Sequence, residues 1–384
     1  MMGRAVDPVA LSQALIRCPS VTPVEGGALQ LLKTELAALG FDGHIVSFSQ
    51  EGTPDVDNLF ARFGKGGRNF CFAGHTDVVP VGDEAAWEND PFGGQIIDGV
   101  LHGRGAADMK AAIAAFTAAV AGFLADNPDF DESISYLITG DEEGPSVNGT
   151  VKLLEWAKAR GEVFDLCVVG EPTNPNELGE MIKIGRRGSM NGYITVHGVQ
   201  CHIAYPHHGD NPITRLVKML DSLISEPLDH GNDHFDPSSL QISSVDVGNN
   251  ATNIIPARAN AIFNIRFNDM HSSKSLTDWC RAKFDEIGGR YDFRVEVSGE
   301  SFITPPGELS ELMSAAVEDV LGRRPALSTT GGTSDARFIC HYCPVAEFGM
   351  IGQTMHKVNE QAAVADIEAL TTIYRRMLDR YFRQ

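Results

Sequence analysis

Along the first half of the chain, short apolar runs alternate with helical stretches, and this alternation constrains the fold more than any other feature. Runs at 58–63, 69–73, 134–139 and 166–169 have strand length, while 8–17, 25–39, 109–126 and 147–160 read as helices. Asp7 before Pro8 reads as an N-cap with proline at the first helical position, and Gly40 stops the second helix. Strands joined by crossover helices run parallel, so the expectation is an α/β fold: a mixed, mostly parallel sheet sandwiched by helices. The pattern changes near residue 181. Extended segments at 192–197, 240–247 and 260–267, with helices at 212–225 and 273–287, predict an inserted α+β two-layer domain. Helix and strand alternate again at 310–321, 345–348 and 364–382, so the expected domains are 1–181 with 298–384, and 182–297 between them.

A chain of 384 residues, 43% of them apolar, is long enough for two cores. Acidic residues outnumber basic ones by 51 to 31, and the resulting field repels polyanions. Nucleic acid and anionic membrane surfaces are therefore not expected partners. No run of eighteen uncharged apolar residues occurs, and the first twenty residues lack an apolar segment with a small-residue cleavage site. A cytoplasmic protein is expected. Cys18, Cys71, Cys167, Cys201 and Cys280 are scattered singly, and Cys340 and Cys343 have no second pair to complete a zinc site. Reduced thiols are expected throughout.

In an open α/β sheet, ligands bind beyond the carboxyl ends of the strands. The run 69–73 leads into Gly74-His75-Thr76-Asp77, 134–139 into Gly140-Asp141-Glu142-Glu143-Gly144, and 166–169 into Gly170-Glu171-Pro172. One acid after a strand is ordinarily a solvated loop charge; three such runs in succession point to a shared centre. The glycines are expected to permit tight turns that let the side chains converge. Asp108, in Gly103-Arg104-Gly105-Ala106-Ala107-Asp108-Met109-Lys110, precedes a helix and reads as a helix cap, while a bridging carboxylate at the helix start would be consistent with both roles. His, Asp and Glu without thiolates suit zinc, cobalt or manganese in a hydrolytic site. Two ions about 3.5–4 Å apart require a bridging carboxylate and a general base. Adjacent side chains of an extended segment point opposite ways, so at most one of Glu142 and Glu143 is expected to bind metal while the other faces the water.

Further motifs follow in order: Asn148-Gly149-Thr150, Gly185-Arg186-Arg187-Gly188-Ser189, Gly331-Gly332-Thr333-Ser334-Asp335 and Met355-His356-Lys357-Val358-Asn359-Glu360. With the three strand-end motifs and the 103–110 segment, the set resembles the di-zinc aminoacylase and carboxypeptidase metallohydrolases over essentially the whole chain. Within that family it resembles the bacterial succinyl-diaminopimelate desuccinylases. The resemblance implies a di-zinc exopeptidase-like fold whose inserted domain is a dimerisation surface and lid. It implies two Zn2+ per subunit, with Co2+ as the alternative in one or both sites. Asp108 would bridge them, His75 and Glu171 completing one shell, Glu143 and His356 the other. Glu142 would be the general base and Asp77 would orient His75. His202 would reach the oxyanion from the partner subunit of a homodimer.

The same resemblance implies a small dicarboxylate amide as substrate, bound by Arg186, Tyr205, Asn253 and Arg266 of the inserted domain and by Gly332 and Thr333 of the catalytic domain. Arginine forks suit carboxylates in so acidic a protein. Thr252 stands where the family pattern has a second asparagine, which puts one substrate contact in doubt. The activity implied is hydrolysis of N-succinyl-LL-2,6-diaminopimelate to succinate and LL-2,6-diaminopimelate. The rivals are an acetylornithine deacetylase or metal-dependent peptidase of the same family, and a non-catalytic metal-dependent binding protein. A spare acid at Glu142 argues against the binder, and the absence of a G-x-S-x-G elbow argues against a nucleophilic hydrolase.

Overall fold

The computed structural model describes residues 5–383. They form two compact units: one takes in the residues up to Ile184, Thr304–Ser328 and the chain from Ser334 onward, the other Gly185–Ile303 and Thr329–Thr333. Gly332 and Thr333, expected in the catalytic domain, thus group with the second unit.

The first unit is built on an eight-stranded sheet, in the order Asp42–Gln50, Thr53–Phe63, Ser133–Thr139, Asn69–His75, Leu166–Val169, Val345–Glu347, Met181–Lys183 and Ala326–Ser328. Its centre, from Ser133–Thr139 to Val345–Glu347, is parallel, as the alternation of strand and helix predicts. The Asp42–Gln50/Thr53–Phe63 hairpin at one edge is antiparallel. Periodicity does not mark Asp42–Gln50 as a strand, because this edge element is half polar and buries no residue fully.

Tyr136 lies opposite Ala61 and Leu137 opposite Phe60, so the two pairs face opposite sides of the sheet. On one side Phe72 stacks on Phe116 of helix Lys110–Asp126 at 4.3 Å, and Tyr136 and Tyr374 meet Phe116 edge-on. On the other side Phe60 packs against Trp156 of helix Thr150–Lys158. Full burial of a ring such as Phe72 or Phe116 contributes roughly 1.5–3 kcal/mol. Asp7 caps Pro8–Ile16 by accepting from the Val9 and Ala10 N–H groups. A small sheet of Gln95–Ile97, Val100–His102 and Gln361–Ala363 ties the late part of the chain to the segment leading into Asp108.

The second unit carries a four-stranded antiparallel sheet, ordered Ser239–Asp246, Arg258–Phe267, Gly188–His197 and Tyr291–Gly299. Alternate residues Ala259, Ala261, Phe263, Ile265 and Phe267 are buried with Leu216, Leu220, Leu276 and Phe284 of helices Pro212–Ile224 and Ser273–Ile287. This is the two-layer α+β arrangement that the sequence predicts. None of the helices of the described residues is long and apolar enough to cross a membrane. All seven cysteines are free.

Asp229 organises a turn of the second unit. Its Oδ1 accepts from Gly231 N at 2.8 Å, Ser238 N at 3.1 Å and Asn268 Nδ2 at 2.7 Å, and its Oδ2 lies 3.1 Å from His271 Nε2. Burial pushes its acid up, but the donors from Ser238, Gly231 and Asn268 outweigh that and hold it down at about 2. The folded value lies below the unfolded one near 3.9, so the stabilisation is complete above about pH 4–5 and lost as pH falls towards 2. Asp229→Ala is expected to cost about 2 kcal/mol at pH 7, with the melting-temperature deficit narrowing from pH 5 to pH 3. An equal deficit at both pH values would show that the charge is not what matters.

Candidate metal centre

Parallel register sets the site. His75 pairs with Thr139 and Ala73 with Val169, so the three strands end side by side and deliver His75, Glu142, Glu143 and Glu171 to one edge. Gly74, Gly140 and Gly170 precede these residues, but none has positive φ. What the structure shows at these glycines is close packing. A Cβ on Gly140 would come within 2.7 Å of the Asp57 carbonyl oxygen, and one on Gly170 within 2.7 Å of the Phe72 ring and 2.5 Å of Met109 Cε. Gly105 does use the left-handed region, at φ 89°, where the chain turns towards Asp108.

Three overlapping donor groups result among the described residues: His75 with Glu142 and Glu143, and two that share Asp108, namely His75, Asp108 and Glu171, and Asp108, Glu143 and His356, the ligating atoms of each lying within 4.8 Å of one another. Asp108 links the latter two: its Oδ1 is 3.1 Å from His75 Nε2 and its Oδ2 is 3.0 Å from His356 Nε2. His356 Nε2 is also 2.7 Å from Glu143 Oε1, and His75 Nε2 is 3.8 Å from Glu171 Oε1. The capping alternative for Asp108 is excluded, since Met109 is the N-cap of Lys110–Asp126 and no side chain caps that helix. His356 adopts a left-handed backbone at φ 62°, unusual for a residue with a side chain.

Asp77 acts differently from expectation. His75 Nδ1–H donates to the Asp77 backbone carbonyl at 2.9 Å, and the Asp77 carboxylate is farther away, at 3.7 Å. That carboxylate instead accepts from Glu142 N at 3.3 Å and Glu143 N at 3.0 Å. Asp77 therefore fixes the His75 tautomer with its main chain and the Glu142–Glu143 turn with its side chain. The turn also corrects the extended-segment argument: residues 142–145 are turn, and both carboxylates come within 4.8 Å of a His75 ring nitrogen. What separates the two glutamates is that Glu143 also groups with Asp108 and His356, and Glu142 does not. Asp141, whose part the sequence leaves unread, closes this loop by accepting from Val147 N and Asn148 N at 2.8 Å each.

Electrostatics test whether metal fits. Burial and the Glu171 charge push Glu142 well above the usual carboxylate range. Burial also lifts Asp77 to about 7 against the pull of His75. Asp108 is held below the usual range because its hydrogen bonds to His356 and His75 outweigh its burial. His356 is raised to about 10 by Asp108 and Glu143. Left to itself, the cluster balances crowded carboxylates by gathering protons, and divalent cations would replace those protons. Hard carboxylate oxygens with two imidazoles and no thiolate form a donor set that fits two such ions.

The other residues singled out by sequence fall in the second unit. Arg186 is 7% exposed, in the short strand Gly185–Arg186 paired with Phe302–Ile303, and donates to the Thr330 carbonyl at 3.3 Å, beside the segment carrying Gly332 and Thr333. Arg266 is half-buried on Arg258–Phe267, opposite Ser189. His202 pairs with Ile254, and Asn253 O accepts from Ile203 N, which draws Asn253, His202 and the exposed Tyr205 into one neighbourhood. His202 Nδ1 accepts from Ala204 N at 3.1 Å, placing the ring hydrogen on Nε2.

A protein of Rhodospirillum centenum described as a succinyl-diaminopimelate desuccinylase is 58% identical over 98% of both chains. One from Methylobacterium nodulans with the same description is 56% identical over 99% of this chain and 98% of its own. Among solved structures, a dinuclear metal-binding peptidase of the M20 family from Bacillus subtilis superposes with a TM-score of 0.68 over 98% of each chain at 13% identity, a likeness of fold alone. The profile of peptidase family M20/M25/M40 matches residues 71–380, and the chain belongs to that family.

Proposed function

We propose that the chain hydrolyses the amide of N-succinyl-LL-2,6-diaminopimelate, releasing succinate and LL-2,6-diaminopimelate for lysine and cell-wall precursor synthesis in the cytoplasm. The observation that carries this reading is a pair of donor groups sharing Asp108 beside an acid outside both of them, Glu142, in a chain 58% identical along its length to a protein described as a desuccinylase. His75, Asp108 and Glu171 would hold one Zn2+ and Asp108, Glu143 and His356 the other, with Co2+ as the alternative. When bound, the pair supplies Lewis-acid polarisation of the scissile carbonyl and a more acidic water.

The protein's own residues do the rest. Glu142 takes a proton from the attacking water and passes it to the amine nitrogen as the C–N bond breaks, a role open to it as a carboxylate within reach of His75 and outside the two groups that share Asp108. Asp77 holds the turn that aims Glu142. Arg186 and Arg266 bind substrate carboxylates, with Tyr205, Asn253, Gly332 and Thr333 as further contacts. His202 donates from Nε2 to the developing oxyanion, acting in trans across a homodimer.

The deciding assay runs zinc-loaded protein side by side on N-succinyl-LL-2,6-diaminopimelate and N-acetylornithine. Faster turnover of the succinylated substrate is expected; a preference for acetylornithine would replace this reading with a deacetylase. The trans role of His202 has its own test. His202→Ala and Glu142→Ala proteins, each inactive, are expected to recover about a quarter of wild-type activity after subunit exchange, because half the dimers are mixed and each mixed dimer has one intact site. No recovery despite exchange seen by mass spectrometry would place His202 in its own subunit's site or outside catalysis.

A further inference from the structure

We infer that Glu360 is a positioning residue that orients the shared carboxylate Asp108 by gripping its backbone and tying it to the segment that carries His356; this rests on the two-ion reading of the cluster. Glu360 is fully buried. Its Oε1 accepts from Ala107 N at 2.9 Å and Asp108 N at 3.0 Å, and its Oε2 accepts from Arg104 Nη1 at 2.8 Å. The main chain repeats the link: Glu360 O accepts from Gly103 N at 3.0 Å, and Arg104 Nη1 also donates to Lys357 O at 3.0 Å. Arg104 is itself buried, with its guanidinium 5.2 Å from the Trp87 ring centre.

The choice of residue is informative. A buried carboxylate beside a cluster of carboxylates is unfavourable, and a loop that needed only filling would be better served by an apolar side chain. What glutamate offers is one oxygen able to accept two successive N–H groups while the other is locked by a charged partner. Those N–H groups bracket Ala107, and the second is bonded directly to the Asp108 Cα. Asp108 must reach His75 with one oxygen and His356 with the other, so a small rotation of the 107–108 backbone would disturb both contacts. Because Glu360 follows His356 by four residues and pairs next to Gly103, one side chain references both sides of the Asp108 bridge to each other.

The test measures Co2+ binding to metal-free wild type, Glu360→Gln, Glu360→Ala and the double variant Arg104→Met/Glu360→Met, by chelator-buffered titration with the visible spectrum recorded. The double variant replaces a buried ion pair with apolar side chains and is expected to melt near the wild-type temperature without metal. It and Glu360→Ala are expected to bind at least one ion about 10–100-fold more weakly, with an altered cobalt absorption band. Glu360→Gln keeps an acceptor for the two N–H groups and is expected to stay within a few-fold of wild type. A double variant that folds and binds both ions as wild type does would overturn the assignment, as would Glu360→Gln impaired as badly as Glu360→Ala. Should the double variant not fold, the Gln and Ala variants decide between these outcomes. A wild type that binds no Co2+ would overturn both the assignment and the metal centre, whereas failure on the succinylated substrate alone would touch only the proposed activity.

Discussion

Glu142→Ala protein is expected to keep the metal content of wild type while its turnover falls by about 10²–10⁴-fold. Glu142 joins His75 and Glu143 but is absent from the two groups that share Asp108, so its removal leaves three donors in each of those groups. Glu143→Ala should behave differently. Glu143 meets His356 at 2.7 Å and shares its group with Asp108, so its loss should reduce bound metal as well as activity. Elemental analysis after dialysis, paired with single-substrate kinetics, separates the two variants. Substantial residual turnover by metal-loaded Glu142→Ala would remove Glu142 as the base, and equal metal loss in both variants would mean that Glu142 is itself a ligand.

Asp108→Ala should have the broadest effect, because Asp108 links the group of His75 and Glu171 to the group of Glu143 and His356. Both ions should bind weakly or not at all, whereas Glu171→Ala should spare the group of Glu143 and His356. Ligand binding to the native state stabilises it by about 4 kcal/mol when free metal exceeds Kd a thousandfold. Zinc should therefore raise the melting temperature of wild type clearly and that of Asp108→Ala little. A variant with two ions bound and an undiminished zinc-induced shift would end the bridging role.

Much of this centre is legible in the sequence. His75 and Glu171 follow strand-like runs directly, and the parallel pairing of those runs brings them together as the rule for open sheets requires. Other residues are readable only in part. The residues around Asp108 suit a cap and a bridge equally well, and only the position of Met109 at the helix start removes the cap. Asp77 is recognisable as a partner of His75, yet which of its oxygens does the work depends on a turn whose dihedrals have no periodic signature. Asp141 and Glu360 escape because a buried acid and a solvated one look alike in sequence; an acid within an apolar or glycine-rich stretch is the single available hint.

By itself the sequence determines the donor types, the order in which they follow the strands, the parallel character of the central sheet and the two-layer character of the insertion. These depend on residue chemistry and on periodicities of two and of about 3.6, which are local. Tertiary structure decides that Asp108 faces two histidines at once, that Glu142 and Glu143 turn to the same side, and that Glu360 closes against Ala107 and Asp108. Each of these joins residues far apart in the chain through strand register or a non-repeating turn. The pairing of Gln361–Ala363 with Val100–His102 is one such case: it carries His356 to Asp108, and no local pattern specifies it.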